Sequence, residues 1–286
     1  MKKKLICTIS ILVLAAALCS GCSTAPFKIT DSFASYYAKN KEEVGSDLKG
    51  MASDLAVLSD SEATDPNYQS NDYADLLIND STNEVLESYH CFDRLYPASI
   101  TKVMTALLTL EHGNMDDEIT LKHDINLTEN GAVISTLTKG DTVTVGQVFH
   151  TMLIKSANDC AVILAEYVAG SESKFIDMMN AKAKELGATH THFVNPNGLH
   201  DNNHYTTAYD LYLIFKEAVK YDTFVDTVSS KDYTMTYTTP KKTQINEYMQ
   251  STNYYLLNEF PVPEGVVMYG GKTGTTSMAK SCLILM

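Results

Sequence analysis

The sequence has no apolar segment long enough to span a bilayer. Its most apolar segment, Leu5–Leu18, holds fourteen residues, whereas a membrane-spanning helix needs about 20. The basic residues Lys2, Lys3 and Lys4 precede it. A short basic segment followed by a short apolar one is typical of an export signal. The sequence therefore predicts a leader over residues 1–21 and an exported protein.

Positive charge is scarce. The chain has 22 lysines and arginines against 35 acidic residues, a net charge of −13. Removal of residues 1–21 would take away three lysines and no acid, leaving 19 − 35 = −16. Such a surface repels nucleic acid and anionic lipid headgroups. We therefore expect no nucleic-acid partner and no polybasic membrane contact, and attribute the charge to solubility.

Cysteine is too sparse for a disulfide framework. Of the six cysteines, two lie in the leader and one at its end. The other three are far apart in the chain: Cys91, Cys160 and Cys282. An odd, widely spaced set argues against disulfide pairing and lacks the close pairs of a zinc site. We expect these three side chains to be buried as small apolar groups.

Histidine and acid patterns for a metal are also weak. His200, Asp201 and His204 are close in sequence, but their segment is rich in Asn and Gly and predicts a loop rather than a helix face. His190 and His192 follow a helix end and are expected to cap it or face solvent. The acid-rich residues 116–118 are predicted to form a solvated loop. We expect neither a metal nor a cofactor.

The end of the leader, Leu18-Cys19-Ser20-Gly21-Cys22, resembles a bacterial lipoprotein signal, in which the cysteine after two small residues is lipidated. This predicts lipidation of Cys22 and attachment to the extracytoplasmic face of a bacterial membrane. Ordinary cleavage and an uncleaved anchor are the alternatives. Residues 22–71 are polar and acidic, and predict a tether with one short helix near Ser46–Leu58.

The rest of the chain suits one large domain, or one domain that carries an insertion. Hydrophobic patterns and helix stop signals predict five helices: Pro97–Glu111, Val145–Ile154, Asn158–Gly170, Ser173–Leu186 and Ala208–Val219. Strands are predicted on both sides of them: Ala74–Asp80, Glu84–Tyr89, Tyr233–Thr239, Gly265–Lys272 and Ser281–Leu285. Strands at both ends with helices between imply a sheet assembled from distant segments around a helical insertion.

Ser99 and Lys102 lie three positions apart at a predicted helix start, so that both side chains project from one face. A lysine that is desolvated, or close to another cation, can be neutral and act as a base toward a serine hydroxyl. A helix N-terminus also presents backbone N–H groups where an oxyanion could form. Alone the pair is weak evidence, since an N-cap serine followed by a surface lysine has the same spacing.

Two further motifs follow in the chain. Ser156-Ala157-Asn158 comes directly after a predicted helix and offers a hydroxyl for proton transfer and a carboxamide to hold a substrate amide. Gly271-Lys272-Thr273-Gly274 lies in a strand-like segment. There a cation and a hydroxyl can bind a carboxylate, and the glycines let a substrate approach the backbone. Each motif alone is also compatible with a helix cap or a turn.

In this order, the three motifs resemble those of the serine penicillin-recognising enzymes. The likeness to D-alanyl-D-alanine carboxypeptidases also extends over longer segments and spans about residues 72 to 285: Leu95–Leu107, Ser156–Glu166, Ala183–Leu199 and Tyr205–Leu211. It implies an α/β (α+β) fold of the β-lactamase/transpeptidase type over residues 72–286. In that fold an antiparallel sheet is built from both ends of the chain, with a helical subdomain at about 103–225.

The resemblance also implies an activity, that of a serine D-alanyl-D-alanine carboxypeptidase that cleaves peptidoglycan pentapeptides and is inhibited by β-lactam antibiotics. The implied catalytic residues are Ser99 as nucleophile, Lys102 as general base and Ser156 as proton relay. The implied substrate-binding residues are Asn158, Lys272, Thr273 and Gly274, with the backbone N–H groups of Ser99 and Thr275 holding the oxyanion.

Three alternatives stay open. A β-lactamase shares the fold, but class A enzymes add a loop glutamate, and the corresponding segment Phe193–Leu199 contains no acid. Endopeptidase or transpeptidase action depends on which acceptor reaches the acyl-enzyme. A truncated, non-catalytic penicillin-binding or scaffold protein is the third. The family continues past this point with another strand and a closing helix, so we expect both to be missing here and the sheet to be split.

Overall fold

In a computed structural model, residues 55–57, 73–127, 129 and 131–286 are described. They contain six α-helices: α1 (Lys102–His112), α2 (Val145–Ile154), α3 (Asn158–Ala169), α4 (Glu172–Glu185), α5 (Ala208–Ala218) and α6 (Asp222–Val228). A 3-10 turn, Ala98–Thr101, leads directly into α1. The five predicted helices are confirmed, whereas the seven-residue α6 was not predicted from the sequence.

The described strands are β1 (Asp75–Asn79), β2 (Glu84–Tyr89), β3 (Glu118–Thr120), β4 (Thr142–Thr144), β5 (Asp232–Thr238), β6 (Gln244–Gln250), β7 (Gly271–Thr276) and β8 (Lys280–Leu285). They form three antiparallel sheets, in the orders β1-β2, β3-β4-β5-β6 and β7-β8. The mixed, antiparallel fold class expected from the sequence is confirmed. The hairpins β1-β2 and β7-β8 form separate two-stranded sheets.

Two local predictions are wrong. The acid-rich segment at 116–118 is not wholly a loop, because Glu118 begins β3 and pairs with Thr144 of β4. The strand predicted over Gly265–Lys272 begins only at Gly271. Val266 and Val267 are 53% and 68% exposed, so the apolar pattern that predicted this strand is on the surface instead of in a sheet.

Helix α1 lies at the centre of the core. Eight of its eleven residues, Lys102 to Thr109, are buried, including the side chain of Lys102 itself. Four fully buried phenylalanines belong to the same core: Phe149, Phe175, Phe193 and Phe224. The hydroxyl of Thr105 donates to the Pro196 carbonyl at 2.6 Å, so its burial leaves no unmet hydrogen bond. One polar face of α1 is therefore held inside the protein, and Lys102 lies at the start of it.

Helix α2 begins with a capping box. Thr144 accepts a hydrogen bond from the backbone N–H of Gln147, whose side chain in turn accepts from the backbone N–H of Thr144. This reciprocal capping box fixes the first turn. The helix ends at Ile154, and after Lys155 the chain reaches Ser156. Among the expected buried cysteines, Cys91 and Cys160 are buried and Cys282 is half-buried.

A short piece of the predicted tether is in contact with the helices. Ala56 is fully buried; its N–H donates to the Tyr212 hydroxyl at 3.0 Å, and its carbonyl accepts from the Tyr209 hydroxyl at 2.8 Å. The predicted leader, Cys22 and the rest of the tether lie outside the described residues. No helix in the described part of the chain is both long enough and apolar enough to cross a bilayer.

Candidate active site

Ser99 lies in the 3-10 turn, where the backbone is tightly packed. Ala98 before it has a positive φ of 47°, a conformation uncommon for a residue with a side chain. Strand β7 packs against this turn, because a Cβ added to Gly274 would lie 2.9 Å from the backbone nitrogen of Ser99. Glycine at 274 therefore lets the strand and the turn approach each other. The motif predicted a different use for its glycines, the approach of a substrate to the backbone.

Lys102 reaches Ser99 from the first turn of α1. Its Nζ lies 2.8 Å from Ser99 Oγ, 2.9 Å from Asn158 Oδ1 and 2.6 Å from the Asn197 carbonyl oxygen. Burial, and next the charge of Lys272, lower the pKa of Lys102 well below its usual value. A lysine in this environment favours the neutral amine, because the charged form would lose its hydration and face another cation.

Ser156 and Asn158 enter the site from the connection between α2 and α3. Ser156 has a φ of 63°, which turns the chain sharply before α3. Its Oγ accepts a hydrogen bond from Lys272 Nζ at 3.0 Å. The Asn158 Nδ2 donates to the Val133 carbonyl at 3.0 Å. That bond fixes the orientation of the amide, so its oxygen faces Lys102.

Lys272 lies in β7, and its side chain is buried. It is 1% exposed, and its Nζ donates to Ser156 Oγ and to the Thr273 carbonyl at 3.0 and 2.7 Å. Burial lowers the pKa of Lys272 to about 7. Its hydrogen bonds join two of the three sequence motifs, and the bonds of Lys102 to Ser99 and Asn158 complete the connection among all three.

The segment from Asn195 to Gly198 is a part of the site that the motifs did not indicate. The backbone carbonyl of Asn197 accepts the shortest hydrogen bond of Lys102, 2.6 Å. The Gly198 N–H donates to Asn195 Oδ1 at 2.7 Å and so closes the turn. Every residue has a backbone carbonyl, whatever its side chain, so no sequence signal could single out that of Asn197.

A buried histidine supports the same turn. Burial lowers the pKa of His204 to about 4, so the ring is neutral at pH 7. Its Nδ1 accepts from the Val194 N–H at 3.2 Å, which leaves the proton on Nε2 to be donated to Thr101 Oγ1 at 2.8 Å. His204 is thus a structural link to the residue two positions after Ser99. The described residues contain no cluster of three or more metal-ligating side chains.

These residues open on a cleft of about 600 Å³. Ser99, Ser156, Asn158, Thr273, Gly274 and Thr275 all line it. Lys155, Thr252 and the aromatic residues Tyr254, Tyr255 and Phe260 also line it. The structure therefore brings together the residues of the three predicted motifs around one space large enough for a short peptide.

The fold and this arrangement of a serine–lysine pair, a second serine and a second buried lysine define the serine penicillin-recognising class of proteins. The chain belongs to the D-alanyl-D-alanine carboxypeptidase family, whose sequence profile matches residues 60–286. The family predicted from the motifs is therefore confirmed. The roles assigned to individual site residues stay predictions.

Individual relatives agree with this family. The chain is 35% identical over 212 residues to the D-alanyl-D-alanine carboxypeptidase DacF of Bacillus subtilis strain 168, covering 73% of this chain and 52% of that protein. It is 31% identical over 218 residues to the D-alanyl-D-alanine carboxypeptidase of Streptomyces sp. strain K15, covering 72% and 73%. The crystal structure of the Streptomyces K15 DD-transpeptidase matches with a TM-score of 0.66 and 28% identity, covering 73% and 82%. The chain spans about half the length of several curated relatives, DacF among them.

The turn at Gly198 provides a test of how the site is held. Gly198 has a φ of +86°, and an added Cβ would lie 1.9 Å from the Ala98 carbonyl oxygen. We expect Gly198→Ala to lower the free energy of unfolding by more than ~2 kcal/mol and to reduce penicillin labelling, because it combines a left-handed backbone cost with a clash. Thermal unfolding and labelling with fluorescent penicillin measure both effects.

Gly170→Ala is the matched control. Gly170 also has a positive φ, +76°, but no atom lies within 4 Å of an added Cβ. It should show only the backbone cost of ~1 to 2 kcal/mol and keep full labelling. Equal losses of stability in the two variants would contradict the proposed contact between Gly198 and the Ser99 turn.

Proposed function

We propose that this protein is a serine D-alanyl-D-alanine carboxypeptidase that cleaves the stem peptides of peptidoglycan through an acyl-enzyme at Ser99, and that β-lactams acylate the same serine. The observation that carries the proposal is the position of a fully buried lysine amine 2.8 Å from Ser99 Oγ. Membership of the D-alanyl-D-alanine carboxypeptidase family supports the substrate class.

The hydrogen bonds of Lys102 define where a neutral amine would carry its lone pair. A neutral amine has two hydrogens and one lone pair. Two of the three neighbours of Nζ, Asn158 Oδ1 and the Asn197 carbonyl, can only accept hydrogen bonds. They therefore take both hydrogens, and the lone pair is left facing Ser99 Oγ. In this state the serine hydroxyl donates to Lys102, which is the geometry of a general base.

In the proposed acylation, Ser99 Oγ attacks the carbonyl carbon between the two D-alanines and Lys102 takes its proton. The oxyanion is held by the backbone N–H groups of Ser99 and Thr275. When the C–N bond breaks, Ser156 passes a proton to the departing amine of the terminal D-alanine. Water then hydrolyses the ester at Ser99 and releases the shortened peptide. Asn158 holds the substrate backbone during these steps.

The carboxylate of the terminal D-alanine is bound at the other end of the site in this proposal. Lys272 supplies a positive charge from its buried position in β7, and Thr273 supplies a hydroxyl. The Lys272 ammonium already donates to Ser156 and to the Thr273 carbonyl, so it lies between the second serine and β7. The same group thus favours the bound carboxylate and keeps Lys102 neutral.

The proposal places the protein outside the cytoplasm, where peptidoglycan is found. The leader-like residues 1–21 support export, and the lipoprotein-like sequence around Cys22 supports a lipid anchor on the outer face of the membrane. Proteolytic mapping of the N-terminus, together with metabolic labelling by a fatty acid in the wild-type chain and Cys22→Ala, tests the anchor.

Replacement of the nucleophile is the direct test of the activity. We expect Ser99→Ala to lose all labelling by fluorescent penicillin, because its hydroxyl is the one held beside Lys102. In the wild-type chain the adduct should be long-lived, since no acid is present in residues 193–199 to activate water. Mass spectrometry of the labelled peptide identifies the serine. Ser281→Ala, at an exposed serine that lines the same cleft, should label normally. Label retained by Ser99→Ala would remove the proposed nucleophile.

The protonation state of Lys102 is tested by replacement with arginine. Arginine stays charged at all working pH values and cannot accept the serine proton. We expect Lys102→Arg to be acylated at least ~100-fold more slowly, the lower end of what general-base catalysis contributes. Lys155→Arg is the control, because Lys155 lines the cleft but is paired with Glu247. Near-normal acylation of Lys102→Arg in stopped-flow measurements would mean that another group is the base.

The pKa of Lys272 predicts an alkaline limb in the pH profile. Lys272 is protonated below pH 7 and loses its charge as the pH rises through about 7. Since kcat/KM reports the ionisation of the free enzyme, kcat/KM for a peptide with a free C-terminal carboxylate should fall above that pH. The C-terminal amide of the same peptide should show a weaker fall. Identical profiles for the acid and the amide would show that Lys272 does not act through the carboxylate.

A further inference from the structure

Thr252 occupies a position in the cleft that none of the three motifs includes. It lies two residues after the end of β6, and its Oγ1 is 2.5 Å from Thr273 Oγ1. Both threonines are half-buried and both line the same cleft as Ser99. We call Thr252 and Thr273 the hydroxyl pair.

The position of Thr252 is fixed by its neighbours. Asn253 is 1% exposed, and its Oδ1 accepts from the Tyr255 N–H at 3.2 Å. On the other side, the Ser251 N–H donates to the Lys231 carbonyl at 2.8 Å, at the end of the β5–β6 hairpin. The connection that carries Thr252 is therefore attached on both sides. The backbone of Thr252 is therefore held where its hydroxyl can reach Thr273 Oγ1.

The hydrogens of the hydroxyl pair suit an anion. Two hydroxyls in contact have two hydrogens, and one of them is used between the two oxygens. A carboxylate offers two oxygens that accept hydrogen bonds only. When it enters, each threonine can donate to it, so the pair exchanges one internal bond for two bonds to a charged acceptor, and charged acceptors make the stronger hydrogen bonds.

Among the described residues, the cleft has no free cationic side chain on its wall to bind a carboxylate, so hydroxyl groups are the available donors. The sequence contains one arginine, Arg94, and its guanidinium lies 4.7 Å from the centre of the Tyr205 ring. Arg94 is not among the residues that line the cleft. The fork of a guanidinium, which usually binds both oxygens of a carboxylate, is thus engaged elsewhere. Lys155, the lysine on the cleft wall, is paired with Glu247.

We propose that Thr252 is a specificity-determining residue, which with Thr273 forms a two-hydroxyl seat for the C-terminal carboxylate of the peptide. This inference rests on the proposed function, since it names a contact of the same substrate. In the seat, each hydroxyl donates to one carboxylate oxygen, and buried Lys272 supplies the positive charge. A merely structural Thr252 would orient Thr273 and make no contact of its own.

The experiment compares a peptide that ends in D-alanyl-D-alanine with its C-terminal amide, using the full chain. We expect Thr252→Val to lower the preference for the acid, the ratio of the two kcat/KM values, about 10- to 100-fold, as for a lost hydrogen bond to a charged group. Thr252→Ser, which keeps a hydroxyl, should restore most of it. Thr234→Val, at an exposed threonine of β5 outside the cleft, is the control and should behave as the wild type.

The double variant separates direct contact from orientation. If Thr252 contacts the carboxylate, Thr273→Val retains part of the preference for the acid, and Thr252→Val/Thr273→Val retains less of it, namely the part that Lys272 supplies. If Thr252 only orients Thr273, the double variant equals Thr273→Val, and the proposal is overturned. An unchanged ratio in Thr252→Val, or equal losses on the acid and the amide, also overturns it.

Two further measurements distinguish this failure from failure of the proposed function. Penicillin labelling of Ser99 in the wild-type chain tests the function without reference to Thr252. Calorimetric binding of the acid and amide peptides to Ser99→Ala, with and without Thr252→Val, tests the seat without turnover. Labelling at Ser99 with no effect of Thr252 on binding overturns the seat alone. Thr252-dependent preference for the acid without labelling supports the seat and removes the acyl-enzyme.

Discussion

Burial of Lys102 beside Ser99 is the constraint on which the rest of the site depends. Removing a charged amine from water costs several kcal/mol unless it is paired with an opposite charge. The Lys102 amine meets two amide-type oxygens and a hydroxyl, and its strongest charged neighbour is another lysine. The cheapest state is therefore a neutral amine. In the proposed mechanism Lys102 can act as a base because it is buried away from water and because the charge of Lys272 acts on it more strongly than that of the Asp159 carboxylate.

Burial of both Lys102 and Lys272 gives the two lysines different charge states in the proposed mechanism. Lys102 and Lys272 are both buried, and both have lowered pKa values. Two ammonium groups sharing one low-dielectric site repel each other, so protonation of one disfavours protonation of the other. Burial and the charge of Lys272 both lower the pKa of Lys102. In the proposed mechanism Lys102 is therefore the neutral member, and Lys272 is the cation below about pH 7. Ser156 accepts a hydrogen bond from Lys272, the lysine that is charged in this mechanism.

The backbone is strained where the site is assembled. Positive φ angles occur at Ala98 and Ser156, beside the nucleophile and at the second serine, and Gly198 fits closely against Ala98. Such conformations persist only where surrounding contacts determine them. Here those contacts include the His204–Thr101 hydrogen bond and the packing of Gly274 on the Ser99 turn. Packing of the core around α1 offsets the free-energy cost of these backbone conformations, and the Ser99–Lys102 pair lies at the start of that buried helix.

The sequence predicted those features that are written in local patterns. The helices follow from hydrophobic patterns and stop signals, and the spacing of Ser99 and Lys102 places both side chains on one face. The capping box of Thr144 and Gln147 is a local pattern of the same kind, seen here in the structure. Features that depend on distant backbone could not be predicted. The Asn197 carbonyl has no side-chain signature, and the three-residue strands β3 and β4 are too short to show alternation. Thr252 and Thr273 are far apart in the chain, and only the folded structure brings their hydroxyls into contact.

The net negative charge of the chain affects how the carboxylate at a peptide's C-terminus would bind. With a net charge of −13, the field far from the surface repels a carboxylate. That field is screened beyond about 8 Å at physiological ionic strength, whereas Lys272 acts at short range from a site with little water. Within the described part of the chain, Lys272 Nζ bonds to a hydroxyl and a carbonyl rather than to a carboxylate. Its charge is therefore not neutralised by an ion pair. In the proposed function, recognition of the carboxylate would thus depend on contact with β7 and the hydroxyl pair, and not on long-range attraction toward the protein.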